Sequence, residues 1–333
     1  MPFINPNPDR MESSRRRRKQ SYTYLDRSLV VCRSSQLAMA SFPSSCWHHW
    51  VPLLSLLLLV GMDEMAMASS LYDDIDVVWG KDHSFFYTDS PDDNQTLALC
   101  LDKSHGSAFR TKEAYLYARF DVDLMLVPNN SAGTVTTLYL MPEDAPWEYH
   151  DEVDLEFLGN VTGEPYTLHT NIFVNGVGHR VQQFRLWFDP AADFHTYSID
   201  WNPKRITILV DGVPIREFKN KEKDGVPFPT WQKMRLQGSL WNADDWATQG
   251  GRIKTDWSAA PFYANYRNLR VSWCRPSPGV AWCGDEPPES TWFDQGMDAA
   301  ALRDARDKHM IYDYCNDTKQ FKGKEFPKEC TLN

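Results

Sequence analysis

From Leu71 to Arg275 the chain is written in short alternating runs of apolar and polar residues, punctuated by Gly, Pro, Asn and Asp. Alternation is the period of a half-buried strand, whereas a helix repeats its apolar face every three to four residues. On this ground Leu97-Leu99-Leu101, Leu116-Ala118-Phe120-Val122-Leu124 and Thr134 to Leu140 read as strands. So do Thr167 to Val174, Phe184 to Phe188, His195 to Trp201 and Arg205 to Val210. Asp211-Gly212 then turns the chain into Val213 to Phe218, because a tight hairpin needs a residue that tolerates positive φ. Met234 to Trp241 and Tyr263 to Trp273 complete the series, and only Met297 to Tyr312 has helix-forming composition. Many strands joined by hairpins, with no helices between them, predict an all-β antiparallel β-sandwich or jelly roll.

Within that pattern the stretch His150-Asp151-Glu152-Val153-Asp154-Leu155-Glu156-Phe157-Leu158-Gly159-Asn160 stands apart. Alternation puts Val153, Leu155 and Phe157 on one face and Glu152, Asp154 and Glu156 on the other. Same-face neighbours lie only ~7 Å apart along a strand, so three carboxylates in a row repel one another. An acidic solvated strand, a divalent-cation site and catalysis by paired carboxylates would each account for the row. Glycosidic bond cleavage needs two carboxylates in different protonation states, one an anion and one an acid. With Asp154 and one Glu ionised, the other Glu would keep its proton at a raised pKa. Spacing is the difficulty: residues four apart on a flat strand have Cα atoms ~13 Å apart, whereas a retaining pair needs carboxyls ~5–5.5 Å apart.

Composition narrows the partners. The chain has 333 residues, a net charge of −10, 13% aromatic residues and seven cysteines. An acidic balance argues against nucleic acid and anionic membranes, and abundant Trp and Tyr suit stacking on sugar rings. Residues 1–38 are polar and include Arg15-Arg16-Arg17-Arg18-Lys19, which alone reads as a basic localisation patch. Trp50 to Gly61, however, is an apolar run too short to span a bilayer, and Ala66-Met67-Ala68 comes next as a small-x-small cleavage signal. Residues 39–68 are therefore expected to be a signal peptide, with 1–38 an upstream extension and the mature, secreted chain starting near Ser69. The first 68 residues hold eight of the 35 Lys/Arg and five of the 45 Asp/Glu, leaving 27 basic and 40 acidic residues and a net charge of −13.

The acidic stretch resembles the signature H-D-E-I-D-F-E-F-L-G-N of plant xyloglucan endotransglucosylase/hydrolases, a branch of glycoside hydrolase family 16. The likeness runs from Tyr72 to Cys330 and includes Asn130-Ser131-Ala132-Gly133-Thr134-Val135, Leu186-Trp187-Phe188-Asp189-Pro190, Phe194-His195-Thr196-Tyr197-Ser198 and Asp244-Asp245-Trp246-Ala247-Thr248. The resemblance implies a concanavalin-like jelly roll over residues 69–273. A short helical, disulfide-linked C-terminal extension over 274–333 would come after it, with Cys274 paired to Cys283 and Cys315 to Cys330. By the same resemblance Glu152 is the nucleophile, Asp154 assists and Glu156 is the acid/base. His169, Thr170 and Asn171 would face the cleft. Trp241, Asp244, Asp245, Trp246, Gly250 and Gly251 would form the acceptor side. Asn160, in Asn160-Val161-Thr162, would carry a glycan; Asn94, Asn129 and Asn316 head further sequons. Cys100 is left over as a buried small hydrophobe.

The residues and the resemblance together imply a secreted, monomeric cell-wall enzyme that needs no cofactor and takes xyloglucan or a related β-glucan as donor and acceptor. A non-catalytic, lectin-like glucan-binding module is the alternative. Four positions depart from the family pattern: Val181 and Gln183 replace a charged pair, Gln320 replaces an Arg, and His169 itself stands where many relatives have Gln. Between Asn220 and Met234 there is no insertion of the kind that marks hydrolytic members, so transfer is expected to exceed hydrolysis.

Overall fold

Two antiparallel sheets pack face to face in the computed structural model, which describes residues 71–88, 95–273 and 296–332. The strands are β1 (Ile75–Trp79), β2 (Ser84–Tyr87), β3 (Thr96–Leu101), β4 (Ser107–Thr111), β5 (Ala118–Met125), β6 (Thr134–Met141), β7 (Glu152–Leu158) and β8 (Thr167–Phe173). They continue as β9 (Gln182–Phe184), β10 (His195–Trp201), β11 (Arg205–Val210), β12 (Val213–Lys219), β13 (Arg235–Asn242), β14 (Phe262–Trp273) and β15 (Met310–Asp313). One sheet runs β1-β4-β13-β6-β7-β8-β9-β15 and the other β12-β11-β10-β5-β14-β3-β2. The sandwich expected from the alternating pattern is thus present, with a one-turn helix α1 (Leu71–Asp74) before it and a helix α2 (Ala299–His309) after it.

The core is the layer between the sheets. Val153, Leu155 and Phe157 of β7 are fully buried in it, and the Phe157 ring meets Tyr197 of β10 edge-on at 4.7 Å. Each such side chain contributes ~1.5–3 kcal/mol on leaving water. One cation enters this layer: Arg216 of β12 donates to Thr170 Oγ1 of β8 at 2.6 Å and to the Arg180 carbonyl. These bonds tie the second sheet to the underside of the strand beside β7.

Some expected elements change at their ends. The run Phe184 to Phe188 stays extended only as far as Phe184; Leu186 and Phe188 still pack on the core, but from a loop. Helix α2 starts where Asp298 caps the amides of Ala300 and Ala301, at 2.9 Å each, and ends at His309. The next segment, Met310–Asp313, rich in β-formers, leaves the helix and pairs with β9 instead. Strands β1, β2 and β4 escape the apolar pattern because they are short or carry Ser and Thr at inward positions.

In the C-terminal segment Cys315 and Cys330 form the expected disulfide, and Glu329 accepts from Arg180 Nε at 2.7 Å. Cys274, Cys283 and Asn94 lie outside the described residues. Cys100 is buried in β3 as a free thiol. Among the described residues no helix is long and apolar enough to cross a membrane.

Candidate active site

Strand β7 sits between β6 and β8, so register alone decides what surrounds the acids. Glu156 stands opposite Thr137 and His169; Asp154 opposite Tyr139 and Asn171; Glu152 opposite Phe173. Directly paired residues in an antiparallel sheet share a face, so these side chains make one row-and-column patch on the side away from the core. Tyr139 donates to Gln237 Oε1 of β13 at 3.1 Å, which extends the polar patch one strand further.

The acids are nearly enclosed: side chains of Glu152 and Glu156 keep 14% and 12% of their surface exposed, and Asp154 is buried. Burial raises all three pKa values. Glu152 is pushed up to about 7 by desolvation, held back by a hydrogen bond from Asp154 and raised further by the Glu156 charge. Asp154 rises well above the ordinary carboxylate range through desolvation and then the Glu152 charge, and Glu156 through desolvation and then the Asp154 charge. Within the Glu152–Asp154 pair the hydrogen bond lowers the pKa of Glu152 and raises that of Asp154. Buried and wedged between two glutamates, Asp154 is the group that donates.

Two histidines flank the row. His150, fully buried, donates from Nδ1 to the Trp147 carbonyl at 2.5 Å and faces Glu152 Oε2 with Nε2 at 2.8 Å; the Trp147 ring stacks on it at 4.3 Å. At the other end His169 Nε2 faces Glu156 Oε2 at 3.7 Å, and its Nδ1 accepts from Gln183 Nε2 at 3.0 Å. Burial, then the Arg216 charge, lowers the His169 pKa to about 4, so the ring is neutral near pH 7.

Trp246 extends the Glu156 end: its ring is 6.2 Å from His169 and 6.3 Å from Trp241. Thr248 secures this loop, accepting from Gly133 N at 2.7 Å and donating to the Gly159 carbonyl, just past β7, at 2.8 Å. The other expected residues divide. Asn171 spends its side-chain oxygen on the amides of Ile172 and Arg180, both at 3.0 Å. Asp244 caps Thr255, accepting from its amide at 2.7 Å and its hydroxyl at 2.6 Å, whereas Asp245 is wholly exposed. Gly250 and Gly251 both hold positive φ, and a side chain at Gly251 would strike the Asp245 carbonyl. Thr170 points to the core and binds Arg216 rather than the cleft. Gln320 donates to the His179 carbonyl at 3.1 Å. Asn160 lies two residues beyond β7, its Nδ2 donating to the Pro165 carbonyl at 3.1 Å. A separate hollow of about 400 Å³ beside Asn129, Thr162 and Leu186 contains none of the acids.

Sequence reasoning named the acids but missed His150, Tyr139 and Gln237 as neighbours. His150 was within reach, since it shares the face of Glu152 two residues on; the other two depend on register.

A sandwich with three carboxylates in line on an inner strand is the frame in which the comparisons fall. Residues 71–259 match the model of glycosyl hydrolases family 16, and residues 286–330 match the xyloglucan endo-transglycosylase C-terminus. The chain belongs to family 16 of the glycosyl hydrolases. It is 50% identical over 269 residues, 80% of this chain and 92% of the relative, to xyloglucan endotransglucosylase/hydrolase protein 24 of Arabidopsis thaliana. To xyloglucan endotransglucosylase protein 1 of Diospyros kaki it is 47% identical over 281 residues, 84% of this chain and 93% of the relative. Among solved structures, apo Crh5 transglycosylase is 25% identical with a TM-score of 0.49, covering 62% of this chain and 82% of that one. Within family 16 the chain falls in the xyloglucan endotransglucosylase/hydrolase branch.

Proposed function

We propose that this chain cleaves the β-1,4-glucan backbone of xyloglucan with retention and passes the glycosyl unit to a second xyloglucan chain or to water. The observation that carries the reading is the row of three enclosed carboxylates, Glu152, Asp154 and Glu156, on one face of β7, flanked by His150 and His169. Glu152 attacks the anomeric carbon as the bond to the leaving oxygen breaks, and Glu156 gives its proton to that oxygen. Asp154 donates to Glu152 before attack and can keep its proton as the carboxylate becomes an ester. Glu156, now an anion, takes the proton of the incoming hydroxyl, whose oxygen displaces Glu152 from the anomeric carbon.

Transfer over hydrolysis is favoured by the acceptor side. Water is ~55 M, and a held sugar hydroxyl overtakes it only through positioning, where effective molarities reach ~10⁵ M or more. Trp246 and Trp241, secured through Thr248 beside the Glu156 end, supply stacking surfaces for that hold. Secretion by the 39–68 signal into the cell wall, glycosylation at Asn160 and action as a monomer belong to the same reading.

Purified protein incubated with xyloglucan and a labelled oligosaccharide acceptor provides the test. Label in long chains, exceeding new reducing ends at saturating acceptor, is the expected result. Reducing ends in excess would overturn transfer, and binding without turnover would revive the lectin-like reading.

A further inference from the structure

Three strands away from β7, at the β1–β4 edge of the same sheet, a second cluster of titratable groups has no part in the chemistry above. Asp82 and His83 belong to the turn Lys81–His83 between β1 and β2, and His105 lies in the connection between β3 and β4, each of which crosses from one sheet to the other. Their rings and carboxylate converge: His105 Nε2 is 3.1 Å and His83 Nδ1 3.5 Å from Asp82 Oδ1, with the two imidazoles 3.8 Å apart.

The hydrogen bonds fix where the protons sit. His83 Nε2 donates to Asp102 Oδ2 at 3.0 Å, so in the neutral ring Nδ1 carries the lone pair. That Nδ1 is buried and has no hydrogen-bond partner among the described residues. Ser104 spends its only hydroxyl proton on Asp102 Oδ1, so it must accept from His105 Nδ1, 2.9 Å away. At its other nitrogen His105 Nε2 is hydrogen-bonded to Asp82 Oδ1 at 3.1 Å, so a proton sits between this ring and the carboxylate. The unpartnered Nδ1 of His83, Nε2 of His105 and a carboxylate oxygen therefore converge on one point, where a metal ion can take the place of the bridging proton. All three atoms fall within 4.8 Å of each other. Tetrahedral Zn²⁺ ligands ~2.0–2.1 Å from the ion stand about 3.3 Å apart, close to the two distances seen here. Asp102 and Ser104 hold the distal ring nitrogens as outer partners do in metal sites. Two imidazoles with one carboxylate suit zinc and its first-row neighbours rather than Ca²⁺ or Mg²⁺.

We propose that Asp82, His83 and His105 bind a divalent transition metal, Zn²⁺ in the first instance, with the fourth position open to water. The ion would clamp the β1–β2 turn to the β3–β4 connection and take no part in glycosyl transfer.

The test is titration of the metal-free, purified full chain with ZnCl₂ near pH 7.5, read by calorimetry and thermal unfolding, with Co²⁺ absorption as a second readout. One equivalent bound, a Tm that rises with zinc and visible Co²⁺ bands are expected. His105→Gln and Asp82→Asn should each weaken binding at least tenfold, Asp102→Asn should weaken it ~10–100-fold, and Glu156→Gln should leave it unchanged. Asp82 is exposed, so its variant folds even if a histidine variant does not. No stoichiometric uptake by the parent chain would mean the cluster only shares protons, and uptake unaltered in Asp82→Asn and His105→Gln would place the metal elsewhere. Either result overturns the proposal.

Discussion

His150 Nε2 lies 2.8 Å from Glu152 Oε2 while its Nδ1 is committed to the Trp147 carbonyl, so the histidine and the carboxylate have a single proton to divide between them. With the proton on nitrogen the pair is ionic and Glu152 is ready to attack; with it on oxygen Glu152 is masked. His150→Gln should therefore lower kcat by about 10–100-fold, in the range of positioned proton partners, and displace the acid limb of the pH profile. Measuring kcat against pH for both proteins checks this; a uniform fall with an unshifted limb would leave His150 a packing residue.

Removing an acid should trade activity for stability. Glu156 has a pKa raised by burial, so the folded chain keeps a proton that the unfolded chain releases above about pH 4.5. Its contribution to stability is present below that pH and is lost as pH rises through the folded value. Glu156→Gln should consequently unfold at a higher temperature than the parent at pH 7, with the difference vanishing near pH 4. Glu152→Gln should be folded and inactive, and Asp154→Asn should retain slight activity with a shifted pH optimum. Thermal scans at both pH values and initial rates decide each point.

His169 has the opposite sign. Its folded pKa of about 4 lies below the unfolded 6.5, so protonation favours unfolding as pH falls through that window. The loss reaches roughly 3 kcal/mol below pH 4. His169→Gln should be more stable than the parent at pH 4 and equal to it at pH 8, as read from urea midpoints.

The Trp246 ring bears on the fate of the intermediate. Trp246→Ala should raise the acceptor KM and increase the share of new reducing ends, with donor cleavage less affected. An unchanged ratio of transfer to hydrolysis would remove stacking at this position from the account.

The Cys315–Cys330 bridge closes a loop of 15 residues. Constraining a loop of that size stabilises by ~3 kcal/mol. Cys315→Ser with Cys330→Ser should lower the denaturation midpoint accordingly while Glu152 and its neighbours keep their rates.

Much of this was legible because a strand has only two faces. Once Val153, Leu155 and Phe157 are inward, the acids have nowhere to go but the other side. The Asp211-Gly212 hairpin was equally plain, since both residues take positive φ as its turn requires. Lateral pairing is beyond what the pattern could carry. Tyr139 and Asn171 flank Asp154 only because β6 and β8 arrive in that register, and Thr170 and His169 exchange core and cleft with a one-residue slip. The raised pKa values of the three acids were out of reach for a related reason: they depend on enclosure, and enclosure comes from neighbours far off in the chain. The trio Asp82, His83 and His105 has no motif, because two separate connections between the sheets meet only in the folded chain.

Among the described residues, the sheet that bears the acids is bordered by the first strand, β1, on one side and by the last, β15, on the other. A ribosome delivering this chain in order releases β9 long before its partner β15, so the rim nearest His169 stays open until almost the whole chain has emerged. Unpaired rims of this kind recruit foreign strands. Folding helpers therefore matter most to this protein in the last moments of its synthesis.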